Sequence, residues 1–502
     1  MRIEKNGGIS MNNRTILQGF EWYLPADGKH WQRLTELAEE LHKKGINGIW
    51  LPPAYKGANG FEDVGYAPYD LYDLGEFDQK GTIPTKYGTK KEYLECISAL
   101  KGAGIEVYGD IVFDHFMGAD EEENVSAVKY RSDNRNEAVS GEEEILAWTK
   151  FTFPGRNQKY NRYIWTWRNF SGVDFDDRRK DHGIFNFDGK GWDEEVDNEN
   201  GNYDYLMGCN LDMEYPETVD QLNKWGQWYQ ELTDVDGYRL DAVKHIQFNY
   251  FVDWLLNRRK EKGKDLFVVG EYWNGELEKL TNYIDSSGTL ISLFDVPLHY
   301  HFYEAANSDG HYDMRTIFDG TLAKERSEWA VTFVDNHDTQ KGQSLESWVD
   351  GWFKLHAYAL ILLRNAGTPV VFWGDLFGIP SQNVDGVGKN LELLLKIREK
   401  LAYGSEIDYF DDANVIGWIR TGNFDREESG YAVVMTNAQA GEKKMTISAV
   451  HAGKTFVDIL KNNDAKVTLD ETGGGIFPVN GGEVSVYVNE EIVEKLTNVI
   501  DE

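Results

Sequence analysis

Residues 90–113 read KKEYLECISALKGAGIEVYGDIVF. Tyr93, Leu94, Ile97 and Leu100 share one face of a helix, and glycines at 102 and 104 mark its end. The run that follows, IEVYGDIVF (105–113), is apolar almost throughout, as a strand covered on both faces must be. This unit recurs. Upstream stand TILQGF (15–20), WQRLTELAEELHKK (31–44) with Leu34, Leu37, Ala38 and Leu41 in a helical stripe, and INGIWLPP (46–53). Downstream come GYRLDA (237–242), FNYFVDWLLNRRK (248–260), LFVVGEYW (266–273), LISLFD (290–295), WAVTFVDNHD (329–338), WFKLHAYALILLRNAG (352–367) and TPVVFWGD (368–375). Strand alternating with helix about eight times predicts a parallel sheet closed into a (β/α)₈ barrel, with a doubly wound open sheet as the alternative on pattern alone.

Two stretches break the rhythm. Residues 115–212 are rich in Asp, Asn, Gly and Trp and far exceed an ordinary strand-to-helix loop, so they read as a subdomain inserted after the third strand. After about residue 405 the chain turns to short β-rich runs such as VIGWIRT, YAVVMTN and VSVYV between Gly, Asn and Asp turns, an all-β sandwich. The expected division is 12–114 and 213–404 for the barrel, 115–212 for the insert, 405–489 for the sandwich and 490–502 for an amphipathic tail. In that tail Ile492, Leu496, Val499 and Ile500 share a helical face, as in a packed terminal helix.

With 52 Lys+Arg against 85 Asp+Glu, the net charge of −33 repels phosphate backbones and anionic bilayers, so neither nucleic acid nor membrane is expected as a partner. A neutral ligand is unhindered. The 16 Trp and 27 Tyr suit stacking on sugar rings, although most aromatics belong to cores. Cys96 and Cys209 form no disulfide framework and read as buried thiols. The first residues, MRIEKNGGISMNNRT, lack an apolar leader, which points to a cytoplasmic address and a monomer is expected there.

In a barrel, chemistry gathers at the carboxyl ends of the strands. There the third strand carries Asp110, Asp114 and His115, the fourth Arg239 and Asp241, the fifth Glu271, and the seventh Asn336, His337 and Asp338. Glycoside hydrolysis needs one carboxyl held protonated for the leaving oxygen and one ionised to attack the sugar carbon; a spacing of roughly 5–5.5 Å gives retention. Arg239 and Asp241, two apart on a strand, share a face, so the arginine can hold the aspartate anionic.

DIVFDH, GYRLDAVKH, VVGE and FVDNHD, in this order, resemble the four short sequence regions of the α-amylase family of glycoside hydrolases. GYAPYDLYDLGEF, NGNYDYLM, FDVPLHYHF (294–302) and DNHDTQKGQSLESW extend the resemblance to the bacterial liquefying type. It implies an endo-acting, retaining hydrolase of α-1,4-glucosidic linkages in starch, glycogen or maltodextrins. Asp241 would be the nucleophile, Glu271 the acid/base and Asp338 the third carboxylate. Arg239 would orient Asp241, His115 and His337 would bond the sugar, and Tyr66 would stack beneath it. Lys244 and His245 would contact the leaving-group side, and Trp273 is a further substrate-binding candidate.

The resemblance also implies a structural Ca²⁺ held by Asp114, Asp204, Asn210 and the backbone carbonyl of His245, hard oxygen donors that suit this ion. Acid and amide have exchanged places between 114 and 210, which keeps the summed ligand charge. Asp193 and Asp212 match a neighbouring cluster for Na⁺ and a second Ca²⁺, of which another aspartate is Ser171 here. A non-catalytic glucan-binding protein on this fold typically loses one carboxylate, and all three stand. A transglycosylase or exo-acting enzyme would share the same strand ends.

Overall fold

The computed structural model describes residues 13–501, apart from Phe424 and Glu427, with side chains as far as Thr497. Residues 1–12 lie outside the described residues, as do the side chains of Val499 and Ile500 in the tail stripe. Eight parallel strands close into a barrel: β1 (Ile16–Gln18), β2 (Gly48–Trp50), β3 (Glu106–Ile111), β4 (Gly237–Leu240), β5 (Phe267–Gly270), β6 (Ser292–Phe294), β7 (Ala330–Phe333) and β8 (Thr368–Phe372), with β8 returning to β1. The open-sheet alternative is excluded by that closure.

The helices form where the apolar stripes predict them. In α1 (His30–Lys43) Leu34, Ala38 and Leu41 are buried, while Leu37 is only half-buried at the edge. Helix α2 (Lys90–Gly102) starts in a capping box, Thr89 Oγ1 accepting from Glu92 N–H and Glu92 Oε2 from Thr89 N–H (2.8 Å). Parallel register then sets the chemistry: Arg239 on β4 lies opposite Asp110 on β3 and Val269 on β5.

The insert, between β3 and α3 (Pro216–Thr233), is built on a six-stranded antiparallel sheet. Its strands run in the spatial order His115–Phe116, Cys209–Leu211, Phe170–Asp176, Asp181–Phe187, Glu121–Tyr130 and Ala138–Lys150. Phe116, Phe151, Phe153, Trp165 and Phe170 fill the space beneath it. Sequence reading gave this region no strands. In Glu121–Tyr130 only Val125 and Ala127 are buried, so acidic outward positions hide the alternation.

The carboxy-terminal sheet runs Glu406–Tyr409, Val415–Arg420, Tyr431–Thr436, Val484–Asn489, Thr455–Asp458 and Lys466–Thr468, with Gly441–Thr446 and Gly474–Val479 as a second layer. Its central strands, Val415–Arg420, Tyr431–Thr436 and Val484–Asn489, are buried on both faces, whereas the outer strands Glu406–Tyr409 and Lys466–Thr468 are largely exposed. Val433, Met435, Val484 and Val486 join the main core, while Ala432, Val434 and Tyr487 face Met445, Phe456 and Phe477 in the sandwich core. Tyr431 Oη donates to Leu363 O (2.6 Å) across the junction. The terminal helix Val493–Asp501 packs on the helix Lys389–Leu401, burying Leu496, and Ile492 just before it is buried too. Both cysteines are buried free thiols.

The loop after β7 is pinned by a buried charge network. Lys354 Nζ donates to Asp335 Oδ2 (2.7 Å) and Asp375 Oδ1 (2.5 Å), and Asp335 Oδ1 accepts from Thr339 Oγ1 (2.7 Å). Replacing Lys354 by Met leaves two buried carboxylates without a counter-charge, and we predict a loss of about 3–5 kcal/mol in denaturant unfolding. Wild-type stability in that variant would contradict the assignment.

Candidate active site

Arg239 is 1 % exposed at the centre of the barrel mouth. Its Nη1 donates to Asp110 Oδ1 (3.1 Å) and to Asp241, and Nη2 lies 3.2 Å from Glu271 Oε2. Carboxylates from β3, the end of β4 and the end of β5 thus meet on one guanidinium. Trp50 and Tyr66 lie against that cation, with its carbon 5.0 and 5.5 Å from their ring centroids.

Asp110 accepts from Trp50 Nε1 and Tyr66 Oη, both at 2.8 Å, besides Arg239. Sequence reading noted Asp110 at a strand end but gave it no role; its position opposite Arg239 in the parallel register was the available signal. Asp110 is a positioning residue, aligning the arginine and the tyrosine together.

Glu271 is held by a backbone donor, Ala242 N–H to Oε2 at 2.9 Å, from a residue at φ +49°. That left-handed conformation is uncommon for alanine and turns the chain sharply after Asp241. Burial above all, then the negative charges of Asp241 and Asp338, push the Glu271 carboxyl up to about 8, against the pull of Arg239 and Ala242 N–H. Asp338 is likewise pushed up to about 7, first by burial and then by Asp241 and Asp110, with Arg239 opposing.

Tyr66 stacks on His337, ring centroids 4.8 Å apart and planes at 11°, and Trp22 stacks on Tyr66 at 6.2 Å and 4°. Trp22 was not singled out in the sequence because nothing local marks its role. His337 Nδ1 lies 3.0 Å from Gln18 Nε2 and its Nε2 3.2 Å from Asp338 Oδ2. Burial, reinforced by Arg239, keeps His337 well below its ordinary range and so neutral. His115 has both nitrogens engaged within the protein, Nδ1 2.9 Å from Asp114 Oδ2 and Nε2 2.9 Å from Tyr66 O.

On the other side, Lys244 Nζ donates to Glu199 Oε2 (2.9 Å) and Trp273 O (3.1 Å), and His245 Nδ1 lies 2.7 Å from Tyr203 O. Burial, then Lys244, lowers His245 to about 3, so it is neutral. Trp273 Nε1 donates to Tyr300 Oη (3.0 Å).

Behind His115 lies an oxygen-rich cluster. Asp114 Oδ1, Asp193 Oδ2 and Asn210 Oδ1 are buried with no hydrogen-bond partner. Asn210 Nδ2 donates to Asp204 Oδ2 (3.1 Å) and to Ser171 Oγ (2.8 Å), turning its carbonyl oxygen away from both. Burial, and repulsion from Asp193 and Asp114, raise the Asp204 carboxyl well above its ordinary range. Asp193 is raised to about 7 by burial first and then by Asp212, Glu214 and Asp114. Among the described residues no three His, Cys, Asp or Glu side chains form a metal site by themselves. The donor set here therefore depends on the Asn210 amide as well. Three orphaned buried oxygens among mutually repelling carboxylates fit a hard cation. Asp212 is engaged differently, Oδ2 with Lys190 Nζ and Oδ1 with the N–H groups of Glu214 (2.9 Å) and Tyr215 (3.1 Å).

Comparison with known proteins gives the family. Residues 26–403 match the family model described as alpha amylase, catalytic domain. The chain belongs to the α-amylase family. It is 52 % identical over 478 residues to an α-amylase of Geobacillus stearothermophilus, covering 95 % of this chain and 87 % of that one. A cytoplasmic α-amylase of Escherichia coli is 44 % identical over 497 residues, covering 96 % of this chain and 100 % of its own. Among solved structures, an Anoxybacillus α-amylase superposes with a TM-score of 0.63 at 17 % identity, over 95 % of this chain and 98 % of its own, a likeness of fold. This α-amylase-family chain is accordingly a glycoside hydrolase.

The proton on Glu271 is directly measurable. Isotope-edited infrared spectra of the carboxyl should show the protonated form at neutral pH and its loss as pH rises through about 8. Asp338→Asn removes one of the negative charges that raise Glu271, so the transition should move to lower pH. A carboxylate band at pH 6 in the wild type would refute the electrostatic account.

Proposed function

We propose that this protein hydrolyses internal α-1,4-glucosidic linkages of starch, glycogen and maltodextrins with retention of the anomeric configuration. The observation that carries the reading is the meeting of Asp241 and Glu271 on neighbouring nitrogens of Arg239, and the burial that pushes Glu271 up to about 8 suits it to the acid's role. Two carboxyls sharing one guanidinium suit the shorter spacing, roughly 5–5.5 Å, of a double displacement rather than the wider gap that admits a water.

In the first step Asp241 attacks the anomeric carbon while Glu271 gives its proton to the glycosidic oxygen, and the leaving chain departs with a free hydroxyl. The product is a glycosyl ester on Asp241. Glu271, now a carboxylate, takes a proton from water, whose oxygen attacks the same carbon and frees Asp241. Asp338 accepts hydrogen bonds from the hydroxyls of the reacting sugar as its ring flattens. Tyr66 stacks beneath that ring, backed by His337, and His115 fixes Tyr66 from behind through its carbonyl. Lys244, His245 and Trp273 border the leaving-group side.

Asp114, Asp204, Asn210 and the His245 carbonyl would hold Ca²⁺, with Asp193 beside them. Such an ion would neutralise the repelling carboxylates and tie the insert to the barrel. The satisfied state of Asp212 and the presence of Ser171 speak for one ion rather than the fuller cluster. The same reading divides the chain into barrel (12–114 and 213–404), insert (115–212), sandwich (405–489) and tail. No described helix is long and apolar enough to cross a membrane. An internal address is supported by the likeness to the cytoplasmic Escherichia coli relative.

Two experiments test this. Glu271→Gln should lower turnover on soluble starch by roughly 10²–10⁴-fold, and Asp241→Asn at least as much, with unfolding transitions retained. Near-native rates in either would remove the assignment. Exhaustive EDTA should lower the melting temperature and added Ca²⁺ restore it, because an ion bound only by the native state stabilises it by mass action. An unchanged transition would mean that the exchanged Asp114 and Asn210 no longer bind the ion.

A further inference from the structure

A pocket of about 590 Å³ opens between the outer face of α3 and the 160–163 segment of the insert, and it shares no residue with the carboxylate site. Tyr72, Tyr160, Tyr163 and Trp228 line it, with Asn161 and Gln221 among them and Arg162 and Lys224 also in its wall. Trp228 lies 4.9 Å from Tyr72 and 5.1 Å from Tyr160, ring centroid to centroid. Tyr160 is 40 % exposed, an unusual placing for so large a ring.

The wall is built, not incidental. Buried Arg156 donates from Nε to Asp70 Oδ2 (2.8 Å) and from Nη1 to the carbonyls of Lys159 (2.7 Å) and Asn161 (2.5 Å). It clamps a loop in which Asn157, Gln158 and Tyr160 all sit at positive φ, 48°, 62° and 68°. Such backbone conformations are costly for residues other than glycine and persist only where surrounding contacts impose them. Glu76 completes the frame, accepting from Tyr160 Oη (2.7 Å) and Lys90 Nζ (3.0 Å).

The chemistry of the wall selects a neutral polyol. Lys90 and Lys159 share Glu76 and Lys224 pairs with Asp220, so the lysines around the pocket are already engaged by carboxylates. Asn161 Nδ2 is taken by Gln221 Oε1 (2.8 Å) and Tyr72 Oη (3.2 Å), which fixes the floor. Aromatic faces beside ordered amides and hydroxyls match the apolar faces and equatorial hydroxyls of glucose. We propose that this pocket is a second, non-catalytic binding site for an α-1,4-glucan chain, with sugar rings packed on Trp228 and Tyr160. The choice of glucan rests on the reading of the active site as an α-glucan hydrolase.

The test uses native electrophoresis through gels containing amylopectin, in an Asp241→Asn background so that the polymer survives. Tyr160→Ala, at an exposed ring, should weaken retardation about three- to tenfold, the effect of losing one stacking contact. Trp228→Ala should do the same. In the otherwise native enzyme, Tyr160→Ala should leave turnover of maltopentaose unchanged. Unchanged retardation in both variants overturns the proposal, as does parallel loss of retardation and maltopentaose turnover, which would place the effect in the active site or the fold. A wild type that is retarded through Tyr160 yet hydrolyses neither maltopentaose nor starch would refute the catalytic reading and leave the pocket standing.

Discussion

One buried guanidinium organises the mouth of this barrel. Arg239 is the shared partner of Asp110, Asp241 and Glu271, and each of those carboxyls comes from a different strand or strand end. Removing such a cation would leave several negative charges in a low-dielectric site, a far larger penalty than a surface pair could impose. The parallel register of β3, β4 and β5 is what brings these groups level. Fold and chemistry therefore depend on the same alignment, and a slip of one residue between β3 and β4 would turn Arg239 away from Asp110.

The buried oxygen cluster and the Tyr66 ring are joined by a short chain of contacts. Asp114 faces the oxygen cluster with one carboxyl oxygen and His115 with the other; His115 meets the carbonyl of Tyr66, whose hydroxyl donates to Asp110. Each link is buried and directional, so the position of the Tyr66 ring is set from both ends. Geometry in the insert thus reaches the carboxylate group through His115 and Tyr66.

The barrel strands were legible because strands buried on both faces leave nearly unbroken apolar runs, and the polar residues that interrupt them, such as Arg239 and Asp241, stand out against that background. The insert was not legible as a sheet. Its outer strands present Glu121 to Glu123 and Glu142 to Glu144 along one hairpin, and such composition masks period-two burial. Asp110 and Trp22 act through long-range contacts that no local spacing encodes. The exchange between Asp114 and Asn210 was visible in the sequence, but that three of the cluster's oxygens lack protein partners needed coordinates.

The carboxy-terminal sheet has a bearing on how this chain can change. Because Val433 and Val486 belong to the barrel's core while Ala432 and Val434 belong to the sandwich's, neighbouring residues of one strand serve two interiors at once. An insertion of a single residue there would interchange the two sets. The sandwich is consequently no detachable module: one of its sheets is part of the barrel's own interior, so a replacement from a relative would have to match the barrel surface it covers.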